Sequence, residues 1–270
     1  MNNRNKDVAL VTGASSGIGL VTAQALVKAG YRVFGTSRKP VANPQGVTML
    51  ICDVTDEASV QVLVTEIVQQ AGSIDLVVNN AGIGLLGGAE ESSIAQAQRL
   101  YDVNVFGVSR VVNAVLPIMR KQKCGRIVNM SSILGMIPSP FNAFYASTKH
   151  AIEGYSESLD HEVRAFGIRV VLVQPGVTRT SFEENLTRAD QPLPVYAAER
   201  ARSENLMRKW VEEGDAPQIV ADMVVKAATA KNPKLRYSAG MQSRQVSWLR
   251  RFMPERFVDS ILRKVNGLSA

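Results

Sequence analysis

Short apolar runs suited to buried strands recur at about residues 8 to 12, 31 to 36, 47 to 51, 74 to 79, 126 to 130 and 168 to 173, with helical patterns between them. Runs without an exposed polar face fit a sheet covered on both sides. Strand and helix in alternation make that sheet parallel and its crossovers right-handed. The expected class is therefore α/β: a doubly wound parallel sheet with helices on both faces. A chain of 270 residues accommodates this as one domain. The body is expected over 1–230, with a C-terminal extension over 231–270.

The first run, Val8-Ala9-Leu10-Val11-Thr12, breaks into Gly13-Ala14-Ser15-Ser16-Gly17-Ile18-Gly19 and is followed by an amphipathic stretch from Leu20 to Ala29. Strand, glycine turn and helix in this order form a phosphate cradle. Glycines permit the tight turn, close approach of a ligand and close helix-to-strand packing, while the amides at the helix start suit a pyrophosphate.

Tyr145 and Lys149 stand four residues apart on a stretch that reads as helix, so their side chains share one face. A phenol with an ordinary pKa of about 10 transfers protons poorly at neutral pH, and a neighbouring ammonium favours its phenolate. The pair has the makings of a tuned acid/base.

The GxxxGxG spacing of Gly13, Gly17 and Gly19, the Thr12 before it and the Tyr145/Lys149 pair resemble the short-chain dehydrogenase/reductase family. So do Asp53 in Cys52-Asp53-Val54, Asn79-Asn80-Ala81-Gly82, Asn104 in Val103-Asn104-Val105, Ser131-Ser132 after Ile127-Val128-Asn129-Met130, and Pro175-Gly176 followed by Thr180. These stand in family order over roughly the first 180 residues. The resemblance implies a Rossmann-like fold, a nicotinamide dinucleotide and hydride transfer coupled to proton transfer at a carbonyl oxygen. By the same resemblance the cofactor is lined by Thr12, Gly13, Ser15, Ser16, Gly17, Ile18, Gly19, Asp53 (on the adenine), Asn80, Ala81, Gly82, Pro175, Gly176, Val177 and Thr180 (on the carboxamide). Tyr145 is then the general acid/base. Lys149 bonds the nicotinamide ribose and stabilises the phenolate, Ser132 bonds the substrate oxygen, and Asn104 holds a water that relays protons to Lys149. Asn104 can also be read as a helix kink satisfying backbone, and Asp53 as a helix cap in competition with Thr55 and Asp56.

The second strand ends in Ser37-Arg38, where the NAD-preferring pattern has an acidic residue for the ribose hydroxyls. A guanidinium there can instead hold a 2′-phosphate, which predicts NADP(H). For the substrate, Ile133-Leu134-Gly135-Met136-Ile137-Pro138, Phe141 and Phe144 suggest an apolar wall, half of which can face the core instead. The expected reaction interconverts a ketone and a secondary alcohol on a hydrophobic steroid-, retinoid- or lipid-like compound. Arg38 and the long C-terminus resemble the 17β-hydroxysteroid-dehydrogenase-like branch. The alternative is a non-catalytic NADP(H)-binding redox sensor or scaffold, against which the full set Asn104, Ser132, Tyr145 and Lys149 argues. A dehydratase or epimerase of the extended relatives is disfavoured by length and by the glycine spacing.

The net charge of +7 resides in the C-terminus: nine basic and two acidic residues lie from Lys231 onward, and the remaining 230 residues carry 22 of each sign. Such a body is no electrostatic trap for nucleic acid. No stretch approaches the roughly 18 uninterrupted apolar residues of a membrane span, and the N-terminus has no apolar signal core, so a soluble cytoplasmic protein is expected. Cys52 and Cys124 have no metal-ligand spacing, and no metal is expected.

After Gly176, residues 178 to 194 read as loop and about 196 to 213 as a polar helix, a segment placed to act as a substrate lid over about 178–215. Near the end, Pro254 fits an early helix position, residues 258, 261, 262 and 265 form an apolar stripe, and Gly267 fits a cap. That basic amphipathic helix can pack on the domain or a partner subunit, or lie on an anionic membrane. The family resemblance further implies a homodimer or homotetramer joined through helices near residues 100 to 120 and 143 to 166.

Overall fold

The computed structural model describes residues 7–180 and 186–267; residues 1–6 and the 181–185 part of the expected lid lie outside the described residues. The strands are β1 (Val8–Val11), β2 (Arg32–Ser37), β3 (Val47–Ile51), β4 (Leu76–Asn79), β5 (Leu85–Leu86), β6 (Gly125–Met130), β7 (Ile168–Pro175), β8 (Thr187–Arg188) and β9 (Arg236–Ala239). Seven form one parallel sheet in the order β3-β2-β1-β4-β6-β7-β9, and β5 pairs with β8 in a small second sheet. The helices are α1 (Gly17–Lys28), α2 (Glu57–Ala71), α3 (Ile94–Tyr101), α4 (Gly107–Gln122), α5 (Ala143–Val163), α6 (Ala197–Glu212), α7 (Pro217–Thr229), α8 (Met241–Phe252) and α9 (Glu255–Val265).

Successive strand residues feed opposite cores, as a pleat demands. Val8 and Leu10 of β1 join Val77, Ile127 and Leu172 against α2, α4 and α5. Ala9 and Val11 join Val78, Val128 and Val173 against α1 and α7. The sheet order turns back between β1 and β4, and a crevice opens at their carboxyl ends, the place where doubly wound sheets bind ligands. The expected runs match the strands to within a residue or two at their ends.

Strand β9 was not legible as an apolar run. Its residues, Arg236-Tyr237-Ser238-Ala239, alternate between exposed or partly exposed and buried, and it extends because the edge of β7 offers a ladder, Leu172 through Pro175 opposite Arg236 through Ala239. Within the C-terminal extension, Arg236–Ala239 add the last strand to the sheet, and α8 and α9 follow it. The expected loop 178–194 also carries the short β8, whose Thr187 and Ala189 amides donate to Gly84 and Leu86 carbonyls at 3.0 Å each. Buried Glu91 ties the chain after β8 down, accepting from the Leu193 amide at 2.8 Å and from Arg200.

The run Ile94–Gln122 has the length and composition of a membrane span. It is a core element instead: Val108, Val111, Val112, Val115 and Met119 are buried between α4 and the sheet.

Candidate active site

The site begins with backbone. Gly13 and Gly17 are left-handed, with φ of 64° and 55°. A Cβ on Gly13 would stand 2.9 Å from Ala81 Cα, and one on Gly19 would stand 2.1 Å from the Gly13 carbonyl oxygen. Side chains are therefore excluded both where β1 passes the end of β4 and where α1 leaves the turn. Thr12 and Asn80 lock the arrangement. The Thr12 hydroxyl accepts from the Asn80 and Ala81 amides at 3.0 Å, and the Asn80 side-chain amide donates to the Thr12 and Gly13 carbonyls at 3.0 Å. Both side chains hold the loop in shape; Thr12 does so from behind the cleft, whereas Asn80 also lines it, beside Gly13, Ser15, Ser16, Gly17, Ile18 and Gly19. The first-turn amides of α1 point there with the positive end of the helix dipole.

Arg38 is exposed at the cleft edge just past β2, close enough to Asp53 for its charge to favour the carboxylate. Ser37 beside it is occupied locally: its hydroxyl bonds the Lys39 carbonyl and accepts from the Lys39 amide. Asp53 lies at the end of β3, its pKa lowered first by the Thr55 amide, which donates to Oδ1 at 2.9 Å. The cap of α2 is Asp56, which accepts from the Ala58 amide at 2.9 Å, so Asp53 has no capping duty. Ala81, Gly82, Pro175, Gly176, Val177 and Thr180 line the same cleft.

A carved glycine floor, a helix start and a carboxylate at one end fit a nicotinamide dinucleotide. The fit rests on the excluded Cβ positions and on charge.

The catalytic candidates meet at the other end of the cleft. Ser132 follows β6 and starts a single 3₁₀ turn, its Oγ accepting from the Leu134 amide at 3.1 Å. Tyr145 and Lys149 project from one face of α5. Burial pushes the Tyr145 phenol up to about 12, and a hydrogen bond with Ser132 pulls the other way. The expected lowering by the ammonium is not among the causes that set this value: Lys149 Nζ lies 5.6 Å from the Tyr145 ring centre and donates to the Met130 carbonyl at 3.0 Å. The phenol is therefore protonated at neutral pH, the state a proton donor needs. Ser131 belongs elsewhere, its hydroxyl donating to Glu153 at 2.6 Å.

Glu153 was missed in the sequence, although it continues the four-residue rhythm of Tyr145 and Lys149. Buried, it accepts from Ser131, from Gln174 at 2.9 Å and from Arg236 of β9 at 2.8 Å.

Burial drives Lys149 down to about 8, and Glu153 opposes this. The unfolded chain keeps the lysine proton up to its ordinary pKa, whereas the folded chain releases it near pH 8. Unfolding therefore takes up a proton between those limits, and this site gains stability as pH rises through them, by about 1.4 kcal/mol per unit. Urea unfolding of Lys149→Met and wild type at about pH 7 and about pH 9.5 should show the variant's relative stability falling by about 2 kcal/mol as Lys149 deprotonates in the wild type. A difference that does not change with pH would contradict this origin.

Asn104 sits in a π-helical turn, Asp102–Phe106, between α3 and α4. Its side chain is committed to backbone, with Oδ1 accepting from the Ile83 amide and Nδ2 donating to the Ile83 carbonyl, both at 2.9 Å. Nδ2 also reaches Thr148 at 3.3 Å. The side chain thus satisfies the Ile83 backbone, as one of the two readings of Asn104 has it, and these bonds leave the second lone pair of Oδ1 and the role of water relay undecided by geometry. Arg110 gathers oxygens around the widened turn, donating to the Asp102 carboxylate at 2.7 Å and to its carbonyl at 3.3 Å.

The whole cleft, from the glycine turn to the C-terminal helices, encloses about 1310 Å³. Ile133, Leu134, Ile137 and Pro138 line it as expected, whereas Gly135, Met136, Phe141 and Phe144 do not. Phe141 turns away, its backbone left-handed at φ 60° and its ring edge-on to Tyr196 at 6.3 Å. The rest of the wall comes from Met207 and Trp210 of α6, the helix expected in the lid, and from two helices whose contribution the sequence did not reveal: Trp248 and Leu249 of α8, and Ile261 and Leu262 of α9. The stripe at 258, 261, 262 and 265 was the available signal. Val258 is buried in the domain, and the other three face the cleft.

A profile of the short chain dehydrogenase family matches residues 7–191. The chain is 39% identical over 249 residues to a 3-ketodihydrosphingosine reductase of Bacteroides thetaiotaomicron, covering 90% of this chain and 93% of that protein. A short-chain dehydrogenase from Streptomyces avermitilis superposes with a TM-score of 0.81 at 30% identity over 97% of this chain and 95% of its own. ElxO, solved with NADP bound, superposes with a TM-score of 0.72 at 27% identity over 87% and 97%. The glycine cradle, the Tyr145/Lys149 helix and these likenesses agree: the chain belongs to the short-chain dehydrogenase/reductase family of oxidoreductases.

Proposed function

We propose that the protein is an NADPH-dependent reductase of a long-chain aliphatic ketone, working in the cytoplasm as a homodimer or homotetramer. The observation that carries this is the union of two halves in one cleft: Ser132, Tyr145 and Lys149 at its narrow end, and an apolar chamber walled by α6, α8 and α9 beyond them. The chamber suits a flexible hydrocarbon chain, and the relative named a 3-ketodihydrosphingosine reductase supports that choice over a steroid or retinoid. NADP(H) is favoured by Arg38 and by the absence of an acidic residue at the end of β2.

The bound reduced nicotinamide supplies the hydride. Ser132 orients the carbonyl oxygen, and Tyr145, already protonated, gives its proton to that oxygen as negative charge develops. Lys149 lies against the resulting phenolate and holds it by charge, and the same ammonium is available to the cofactor ribose. The α6 helix covers the chamber as the body of the lid over about 178–215. Assembly through α4 and α5 has exposed Phe106 and Phe166 to bury.

Nicotinamide absorbance with a series of 3-keto aliphatic compounds of increasing chain length tests the reading. Turnover per KM should climb with each added methylene, by about fourfold at 0.8 kcal/mol each, until the chamber is full. Equal use of short and long ketones, or a preference for rigid polycyclic ones, would overturn the chain-length assignment.

A further inference from the structure

Of the apolar stripe of α9, Val258 is buried and Ile261 and Leu262 are partly buried against the cleft, so the stripe offers little continuous face to a membrane. The corner between α8 and α9 carries a different feature. Trp248, Phe252 and Phe257 are 59%, 61% and 48% exposed there, a cost that a water-facing surface ordinarily avoids. Trp248 and Phe252 pair with ring centres 5.8 Å apart, and the Arg251 guanidinium lies 5.5 Å from the Phe252 ring. Arg250 and Arg256 are exposed beside them, with Glu255 the acidic neighbour. From Arg244 to Lys264 the chain has six basic residues against Glu255 and Asp259, while the body before Lys231 is neutral. Trp248 is also part of the cleft wall, which places this corner at the mouth of the chamber.

We propose that the α8–α9 corner docks on an anionic lipid bilayer, with Trp248, Phe252 and Phe257 entering the headgroup boundary and Arg250, Arg251 and Arg256 meeting lipid phosphates. Aromatic rings with a polar rim prefer that boundary, and guanidiniums reach phosphates while their stems stay against apolar surface. Charge complementarity selects a bilayer over a second copy, because two such corners would bring like charges together. Docking turns the chamber mouth to the membrane, and a lipid-borne ketone reaches Ser132 without crossing water. This last consequence rests on the proposed long-chain ketone reduction, whereas the docking surface stands on its own residues.

The test uses the full chain and vesicles of phosphatidylcholine with and without phosphatidylglycerol, followed by flotation. The protein should float with the phosphatidylglycerol vesicles, remain behind with phosphatidylcholine alone and be released by salt. Arg250→Glu with Arg251→Glu should weaken binding by roughly tenfold or more, given about fivefold per basic residue. Phe252→Ser, which leaves the charge intact, should weaken it as well, so the surface can be judged even if the charge-reversed protein folds poorly. Both variants should keep wild-type turnover of a short, water-soluble ketone. Flotation that ignores phosphatidylglycerol, wild-type binding by both variants, or a wild-type oligomer that dissociates in the Phe252→Ser variant would each overturn docking on lipid; the last would make the corner a contact between copies. Vesicle binding by a protein that reduces no ketone would leave the docking surface standing and remove the reductase reading, and ketone turnover without vesicle binding would do the reverse.

Discussion

Tyr145→Phe should lower ketone reduction by about a hundred- to ten-thousand-fold, the range spanned by loss of a positioned general acid. The substitution removes one oxygen and keeps the ring that α5 buries, so the fold loses about 1 kcal/mol, the net value of a hydrogen bond such as the one with Ser132. NADPH affinity should be nearly unchanged, because the glycine turn, Arg38 and Lys149 are intact. The loss must therefore appear in kcat, as expected for an interaction made only in the transition state. Single-turnover reduction together with NADPH fluorescence titration separates the two quantities. A variant that binds NADPH and turns over normally would end the assignment of Tyr145 and with it the proposed mechanism. The high pKa of the buried phenol adds a direction: reduction should not weaken through Tyr145 deprotonation anywhere in the neutral range, since the group holds its proton up to about 12.

Arg38→Asp should raise the KM for NADPH by about ten- to a hundredfold. One charge-assisted bond is worth about 1.5 to 3 kcal/mol, and an acidic residue repels the 2′-phosphate in addition. The same carboxylate can bond ribose hydroxyls, so the KM for NADH should fall and the preference invert. Because Arg38 lies far along the cleft from Ser132 and Tyr145, kcat at saturating cofactor should barely move. Initial rates across both cofactors decide it: unchanged preference for NADPH would show that 2′-phosphate selection does not reside at the end of β2. Asp53 adds a complication that the same data expose, because losing the guanidinium takes away one of the charges that keep its carboxyl ionised.

Much of this was readable in the chain because the signals were local. Glycine 13, 17 and 19 announce a turn: the left-handed backbone of Gly13 and Gly17 favours glycine, and at Gly13 and Gly19 there is no room for a Cβ. The buried parallel strands announce themselves as short apolar runs, since both faces are covered. Tyr145 and Lys149 share a face by helical spacing alone. What stayed hidden depended on partners distant in sequence. Arg236 to Ala239 form a strand only because β7 presents an open edge. Asn104 shows its bonds to the Ile83 backbone, 21 residues earlier, only once the fold brings the two together. The expected downward pull of Lys149 on Tyr145 rested on their spacing alone, and burial, which spacing does not show, raises the phenol and lowers the lysine. Phe141 and Phe144 passed for pocket wall because apolar residues near a catalytic helix have two places to go, and only packing chooses between them.

The bond from Arg236 to Glu153 bears on how the protein can be re-engineered. Exchanging residues after about 230 for those of a relative looks like the natural way to change which chains the chamber admits, since α8 and α9 build so much of its wall. Yet the last strand of the sheet also steadies, through Arg236, the carboxylate that sits one helical turn beyond the catalytic lysine. A transplanted segment without an arginine at that position would strip Glu153 of an ion-pair partner while it changed the fit. The chamber wall and the support of that carboxylate come from one C-terminal segment, and a chimera must carry both across the same junction.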